Sequence, residues 1–438
     1  MFRKTAVFVV LLSLGLAGCT LYSEVSVLPL NLLPSNIDRG SDLSSMLRKA
    51  DFLRAIEMAP TIDARPRPNP SDLAALGNAY LAAGRFDEAR ARLRAALDLN
   101  PFRATYAQIA WDLSQVEYLS NNFESSLEWA TIAVENGLSI RQWHLDYLRS
   151  LVNIPVYRIS GSDTARVPFR FGRPDVPRLG VRINRSHDVE AILDSGAVLS
   201  IVSTRLASTL PVRTLGTFEG TFFGLLGEPI PVTFGMLDAL EIGDMLIENI
   251  PVAIMPDEKM RFLISKREGT EFRMDFLLGS HLLKDFRLEL NFDRHALTMT
   301  KLYERDRRPH PEQNLFYQGF RPHVRGTVNR KGWHLFILDT GSEITFLNQS
   351  KISSLSVPVF GQAVHGATLQ GLGGAMKRGS MLENVELGVD AWGGKFKTLP
   401  MYLSDDRESA VGIIGQNFLR NFNVTIDFGT MRVELKRR

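Results

Sequence analysis

Two apolar runs in this chain each end in a carboxylate. Phe336-Ile337-Leu338 leads into Asp339-Thr340-Gly341-Ser342-Glu343-Ile344-Thr345-Phe346-Leu347, and Ala191-Ile192-Leu193 leads into Asp194-Ser195-Gly196-Ala197-Val198-Leu199-Ser200-Ile201-Val202. Each pattern predicts a buried strand that delivers an Asp to a Gly turn, followed by a second β-rich run. An ionised carboxylate at the end of an apolar strand is costly unless something there needs it. One such turn says little, because Asp, Ser, Thr and Gly are ordinary residues of tight turns. Two in register point to a paired site.

The register extends well beyond the turns. Asn184-Arg185 and Asn329-Arg330 each lie ten residues before the aspartate, and Ser200 and Thr345 each lie six after it. Leu237-x-x-Leu240-Glu241-Ile242-Gly243 matches Leu382-x-x-Val385-Glu386-Leu387-Gly388, both glycines falling 49 residues after their aspartate (243−194; 388−339). Phe276-Leu277-Leu278-Gly279 with the alternating Phe286, Leu288, Leu290 and Phe292 matches Gly412-Ile413-Ile414-Gly415 with Phe422, Val424, Ile426 and Phe428. A period of roughly a hundred residues is too long for a solenoid and reads as two like domains. Glu241 and Glu386 alternate with apolar neighbours and are expected to face solvent.

These residues resemble the aspartic proteases of the retroviral and pepsin type. That family's pattern is two apolar residues before Asp-(Thr/Ser)-Gly-(Ser/Ala), and later two apolar residues before Gly, once per lobe. Both halves occur twice here, over about residues 165 to 438. The resemblance implies a mainly β, bilobal fold with Asp194 and Asp339 facing each other at the lobe junction as the catalytic pair. Two close carboxylates resist ionising together, so such a pair shares a proton, and one group takes a proton from water while the other polarises the scissile carbonyl; aspartic proteases are the standard instance of this rule. Ser195 and Thr340 would then hydrogen-bond across the junction, and Gly196 and Gly341 would allow close backbone approach. Lobe one is expected at 165–302, an exposed charged connector at 303–319, and lobe two at 320–438.

Between the motifs each lobe has a Gly-punctuated segment that the resemblance makes a flap: Phe222, Phe223, Gly224 and Gly227 in the first, Gly371 and Gly373 in the second. A plain hairpin turn is the competing assignment. Two flaps would be the retroviral arrangement. The Tyr of pepsin flaps is missing from both, which leaves Phe222 or Phe223 to cover the site apolarly.

Ahead of the lobes the spacing is helical. Leu43, Met46, Leu47, Ala50 and Leu53 follow Ser41-Asp42 as in a capped helix, and Pro60 to Pro70 is a Pro/Arg-rich break. Leu76, Gly77, Tyr80, Gly84, Phe86, Ala89, Leu93, Ala96 and Pro101 resemble one tetratricopeptide unit. Phe123, Ala130, Ala133 and Gly137 repeat its second half, and Ile140 to Val152 would cap the array. This α-helical region, 41–155, is expected either to brace the lobes or to bind a protein partner. Because both aspartate motifs lie after it, it is expected to be dispensable for the chemistry.

The first residues carry Arg3-Lys4, an apolar segment from Ala6 to Leu16, and then Leu16-Ala17-Gly18-Cys19. The apolar run is too short for a permanent span and reads as a secretory signal, 1–18. Its ending resembles a bacterial lipobox, which implies lipidation of Cys19, a tether over 19–40, and membrane anchoring by lipid. Thr20, not being Asp, implies the outer membrane, and with it a periplasmic setting. Cys19 is the single cysteine, so an intramolecular disulfide is excluded.

Composition narrows the field further. With 45% hydrophobic and 23% charged residues the 438-residue chain can bury real cores. Net charge is +3 and there is neither a Lys/Arg block nor interleaved aromatics, so nucleic acid is not an expected partner. No His-Glu-x-x-His signature is present and Gly366-x-x-x-x-Gly371 is followed by Leu372 rather than Lys, so neither zinc nor phosphate-loop chemistry is indicated, and no cofactor. His187, His281 and His365 are assigned to surface or core. The expected function is a lipid-anchored endopeptidase acting on protein or peptide; the alternative is a catalytically silent lipoprotein that uses the same fold to bind a partner.

Overall fold

The computed structural model describes residues 13–16, 25–30, 42–172, 174–224, 227–265, 270–355, 368–371, 376–402 and 410–438. Cys19, His365 and Gly373 lie outside them. The helical region opens with Leu43–Arg48 and Phe52–Glu57, which are two helices where the spacing predicts one, because Ala50 between them adopts a φ of 56°. A short helix, Ala59–Asp63, occupies the start of the Pro/Arg segment. Two helix pairs follow, Pro70–Ala82 with Phe86–Asp98 and Arg103–Leu119 with Phe123–Glu135, and then Gln142–Leu151. Asn69 starts the first pair by accepting from Ser71 N at 2.9 Å, with Pro70 at the first helical position.

The rest is mainly β, and the duplicated segments form corresponding elements. In lobe one Arg178–Ile183 pairs with His187–Asp194; in lobe two Arg321–Val328 pairs with Lys331–Leu338. The repeated Asn-Arg is the turn between them. Asn184 and Arg185 have φ of 47° and 59°, and Asn329 and Arg330 have 49° and 60°. Positive φ at both central positions is the type I′ hairpin turn, which suits the right-handed twist of the strands. Each Asn side chain then ties its hairpin to the next strand: Asn184 Oδ1 accepts from Ala239 N at 3.0 Å, and Asn329 Oδ1 from Glu386 N at 2.9 Å.

The second strand of each hairpin carries its Asp to the centre of the molecule. There it lies parallel to the later apolar strand, Leu193 opposite Leu278 in Phe276–Gly279 and Leu338 opposite Ile414 in Gly412–Ile414. Parallel strands covered on both faces read as unbroken apolar runs, which explains the composition of both motifs. The lobes are joined by their own counterparts: Phe286–Asn291 pairs antiparallel with Phe422–Asp427, Leu288 opposite Ile426 and Leu290 opposite Val424. Ala296–Lys301 and Arg432–Arg437 continue that sheet on either side. Because the equivalent Glu289 and Thr425 pair with each other, and Leu288 and Leu290 each pair with the other's counterpart, the junction has local two-fold symmetry.

Three further findings differ from the sequence-based expectations. Val25–Pro29, within the expected tether, is an edge strand of lobe two, pairing with Trp392–Tyr402 from Val25–Phe396 to Pro29–Trp392. The unpaired edge of Trp392–Tyr402 accepts any extended segment that offers its backbone groups, so the alternation needed to flag this strand in the sequence is weak. The second half of the expected exposed connector is core: Leu315–Gln318 forms a strand in which Leu315 and Phe316 are fully buried, with Gln313 and Asn314 buried ahead of it.

The third concerns the helical region, which is not separable from the lobes. Phe52 packs on Phe316 at 5.4 Å between ring centroids, Phe86 on Tyr317 at 5.9 Å, Tyr118 on Phe320 at 4.8 Å and Tyr118 on His281 at 4.3 Å. His281 also bridges Tyr157 Oη and the Tyr118 carbonyl, both at 3.1 Å. Lys284, 2% exposed, reaches Asn121 Oδ1 at 3.0 Å and Asp285 at 3.2 Å, and Arg307 closes the cluster on Asp285 at 2.7 Å. One continuous hydrophobic core runs through the helices and both lobes. The helices therefore brace the lobes, and removing them would uncover aromatic surface, which argues against the expectation that they are dispensable.

Candidate active site

At the junction the two aspartates meet, each 0% exposed. The close approach depends on the glycines of the opposite lobe. A Cβ built on Gly196 would lie 2.5 Å from Asp339 Cγ, and one on Gly341 would lie 2.6 Å from Asp194 Cγ, so any side chain at either position would collide with the other carboxyl.

Around the pair the turns interlock symmetrically. Ser195 Oγ donates to the Leu338 carbonyl at 2.6 Å, and Thr340 Oγ1 donates to the Leu193 carbonyl at 2.7 Å. Each hydroxyl also accepts from the opposite backbone: Thr340 Oγ1 from Ser195 N at 3.0 Å, and Ser195 Oγ from Thr340 N at 3.1 Å. Four buried backbone groups are satisfied by two side chains from the opposite lobe, which makes the two turns one rigid unit. Behind them, Ser200 Oγ accepts from Gly279 N at 3.1 Å and Thr345 Oγ1 from Gly415 N at 2.9 Å, which gives the hydroxyls six residues after each aspartate their role. Gln416 Nε2 further donates to the Thr340 carbonyl at 2.7 Å.

The carboxylates themselves are held by amides of their own turns. Asp194 Oδ1 accepts from Gly196 N at 2.9 Å and Ala197 N at 3.0 Å; Asp339 Oδ1 accepts from Gly341 N at 3.0 Å. Among the described residues Oδ2 of each is buried without a donor, and the two side chains lie within hydrogen-bond reach of one another. A proton shared by the pair relieves this, and without it two like charges would sit side by side in a buried site. Burial accordingly pushes Asp194 up to about 7, against the pull of the Ala197 and Gly196 amides, of Asp339 and of Arg321. Burial, and next the charge of Asp194, raise Asp339 well above the usual carboxylate range. The titration belongs to the pair. One carboxyl that is protonated and one that is ionised, fixed within hydrogen-bond reach, can act as acid and base on the same substrate.

The flap segments are hairpins. Gly220–Phe223 pairs with the start of Pro229–Ile242, Phe223 opposite Pro229, and the turn is closed by Gly224 N on the Glu228 carbonyl at 2.9 Å and Gly227 N on the Gly224 carbonyl at 2.9 Å. In lobe two Thr368–Gly371 pairs with Met376–Arg378, and also with Ser13–Leu16. Phe222 does not turn toward the site as the sequence led us to expect. It is fully buried against Trp143 and Phe234, each at 6.1 Å, so it fastens the hairpin to the last helix of the helical region. Phe223 lies under the Arg141 guanidinium at 5.3 Å. Glu241 and Glu386 are likewise less free than expected: Glu386 is half-buried and pairs with Arg330 at 2.7 Å, and Glu241 lies 3.9 Å from Arg182.

Arg321, which sequence reasoning passed over, is buried close enough to act on both aspartates. Its signal was there: Phe320-Arg321-Pro322 stands where lobe one has Asp175-Val176-Pro177, so the duplication places a charged residue opposite a valine. Trp143 was also missed, because a tryptophan on a helix carries no mark of which strand it will cover.

Residues 179–282 match the family model described as Aspartyl protease, and residues 70–102 match that described as Tetratricopeptide repeat. Among solved structures, a retropepsin-like aspartic protease from Rickettsia conorii is similar at 17% identity, over 33% of this chain and 96% of its own, with a TM-score of 0.21. An aspartic proteinase from Irpex lacteus is similar at 10% identity, over 63% of this chain and 97% of its own, with a TM-score of 0.33. No curated protein matches the chain. Lobe one thus resembles the aspartyl proteases, and the helices before it a tetratricopeptide repeat.

Proposed function

We propose that the protein is an aspartic endopeptidase that hydrolyses peptide bonds with a water held between Asp194 and Asp339. One observation carries the proposal: two carboxyls from corresponding turns of two lobes meet in a buried site where, among the described residues, Oδ2 of each has no donor and the two side chains lie within hydrogen-bond reach. In the reaction the ionised member takes a proton from the water as the oxygen attacks the carbonyl carbon, and the protonated member donates to the carbonyl oxygen, giving a tetrahedral diol. Collapse of that diol transfers a proton to the leaving nitrogen and returns the pair to its shared-proton state. Incubation with denatured protein, with and without a statine-type inhibitor, is the direct test. Inhibitor-sensitive cleavage is expected, and a folded protein that neither cleaves nor binds the inhibitor overturns the assignment.

We further infer that the enzyme is exported and held to the periplasmic side of the outer membrane by lipid on Cys19. Leu16-Ala17-Gly18-Cys19 supports this, as does Thr20. With Val25 already in the sheet of lobe two, residues 20–24 are the whole link, at most about 20 Å when extended. The protease would then work close to the membrane surface. Fractionation of Cys19→Ala checks the anchor, and a variant that remains as membrane-bound as the parent removes it.

A further inference from the structure

Strand register fixes the position of one more charged residue. In lobe two His323 pairs with Ile337 and Val324 with Phe336, so two residues further on Arg321 lies across from Asp339. In lobe one Arg178 pairs with Ile192 and Leu179 with Ala191, which puts Val176 across from Asp194. The duplication has therefore placed a valine, 0% exposed, and a guanidinium, 3% exposed, at equivalent positions flanking the same dyad. A buried full charge is costly unless an opposite charge faces it.

The dyad supplies an opposite charge. Arg321 attracts both aspartates and both attract it, while burial pulls its own pKa down to about 10. On its own strand His323, also buried, is held well below its usual value by burial and by Arg321, so it brings no positive charge near neutral pH. On the motif loop of lobe two, Glu343 accepts from Asp175 N at 2.6 Å, and across the junction Asp175 pairs with Arg420 at 2.8 Å.

We propose that Arg321 is a positioning residue for the dyad: its guanidinium balances the single negative charge of the Asp194–Asp339 pair and so sets the pH window in which one proton is shared. This rests on the protease reading of the site. The sign follows from charge alone. A nearby cation favours each step of ionisation, from neutral to singly charged and from singly to doubly charged, so its removal moves both steps to higher pH.

The test compares the pH profile of kcat/KM for wild type, Arg321→Lys and Arg321→Met. In Arg321→Met both limbs of the bell should move to higher pH by about one unit, the low end of what a nearby opposite charge does to a carboxylate. Arg321→Lys should show less than half that displacement. An Arg321→Met profile that is lower in height with its limbs in place would make the residue structural only and overturn the proposal.

A double-mutant cycle in chemical denaturation reads the same coupling without activity, using Arg321→Met, Asp339→Asn and both together. The double variant should be more stable than the two single effects added together predict, and should fold even where Arg321→Met alone does not. Additive losses, or no recovery of folding, overturn the proposal. A wild type that neither cleaves nor binds a statine-type inhibitor removes the protease reading, and the cycle still decides whether Arg321 and the dyad are coupled.

Discussion

The two lobes carry the same turn, the same grip and the same closing strand, yet they are embedded differently. Lobe one is held from outside. His281 and Lys284, just after its apolar-apolar-Gly motif, are buried against the helical region, and Phe222 of its hairpin is clamped under Trp143. In lobe two the counterparts of His281 and Lys284 turn inward: Asn417 Oδ1 accepts from Thr345 N at 2.7 Å, and Arg420 reaches across the junction to Asp175. Lobe two gains instead an edge strand, Val25–Pro29, and the buried Arg321. Duplication thus preserved what the chemistry shares and released what each copy packs against. The residues at the turns and their grip are kept in both lobes; those that differ pack against a neighbour of one lobe, Arg321 excepted.

The strongest test of that division is the dyad itself. Asp194→Asn and Asp339→Asn should each lower cleavage at least about a hundredfold, the low end for losing a general acid–base group, and by similar factors because the proton is shared. Stability should hold or rise, since either change removes a charge the neighbour had to tolerate. Rates and thermal midpoints of both variants settle it; one lobe's variant retaining near-wild-type activity would show that the site is not a pair.

Next in size are the changes at the helical face of lobe one. Deleting residues 42–155 should leave a chain that does not fold as a monomer, read by circular dichroism and size-exclusion chromatography. Trp143→Ala, a milder change, should cost about 3 kcal/mol in denaturant unfolding, the lower range for truncating a core tryptophan. A soluble, inhibitor-binding 160–438 fragment would show that the lobes stand alone after all.

The grip should be even-handed. Ser195→Ala leaves the Leu338 carbonyl and Thr340 N without their partner, and Thr340→Val does the same to the Leu193 carbonyl and Ser195 N. Each should lose about 2 kcal/mol of stability, one to three being typical for stranded buried groups. Unfolding curves that differ by more than about 1 kcal/mol between the two would mean that the interlock is not symmetric in energy.

Smallest is a slope with pH. Asp194 is held up to about 7 against 3.8 for the free side chain, so between those values the native state keeps a proton that the unfolded chain has released. A raised carboxyl contributes stability that is complete below about pH 4 and is lost as pH rises toward 7. Asp339 acts in the same direction. Denaturation midpoints of wild type should therefore fall over that interval relative to those of Asp194→Asn, and parallel curves would remove the dyad from the pH dependence.

What the sequence determined by itself was whatever is written twice or written periodically. The two aspartates, the glycines after them and the hydroxyls at 195 and 340 stand in register, so comparison of the copies picked them out from ordinary turns. The helix pairs announced themselves by spacing. The tertiary structure decided the rest, because it depends on neighbours distant in sequence. Val25–Pro29 became a strand only because Trp392–Tyr402 offers it an edge. Residues 313–317 became core because helices cover them on one side, Phe52 on Phe316 and Phe86 on Tyr317, and strands of lobe two on the other. Phe222 turned away from the site because Trp143 lay on the other side of its hairpin. Arg321 is a charge in a dry interior, and nothing local permits that; two carboxyls, one at the end of the adjacent strand and one from the other lobe, supply the opposite charge that makes its burial tolerable.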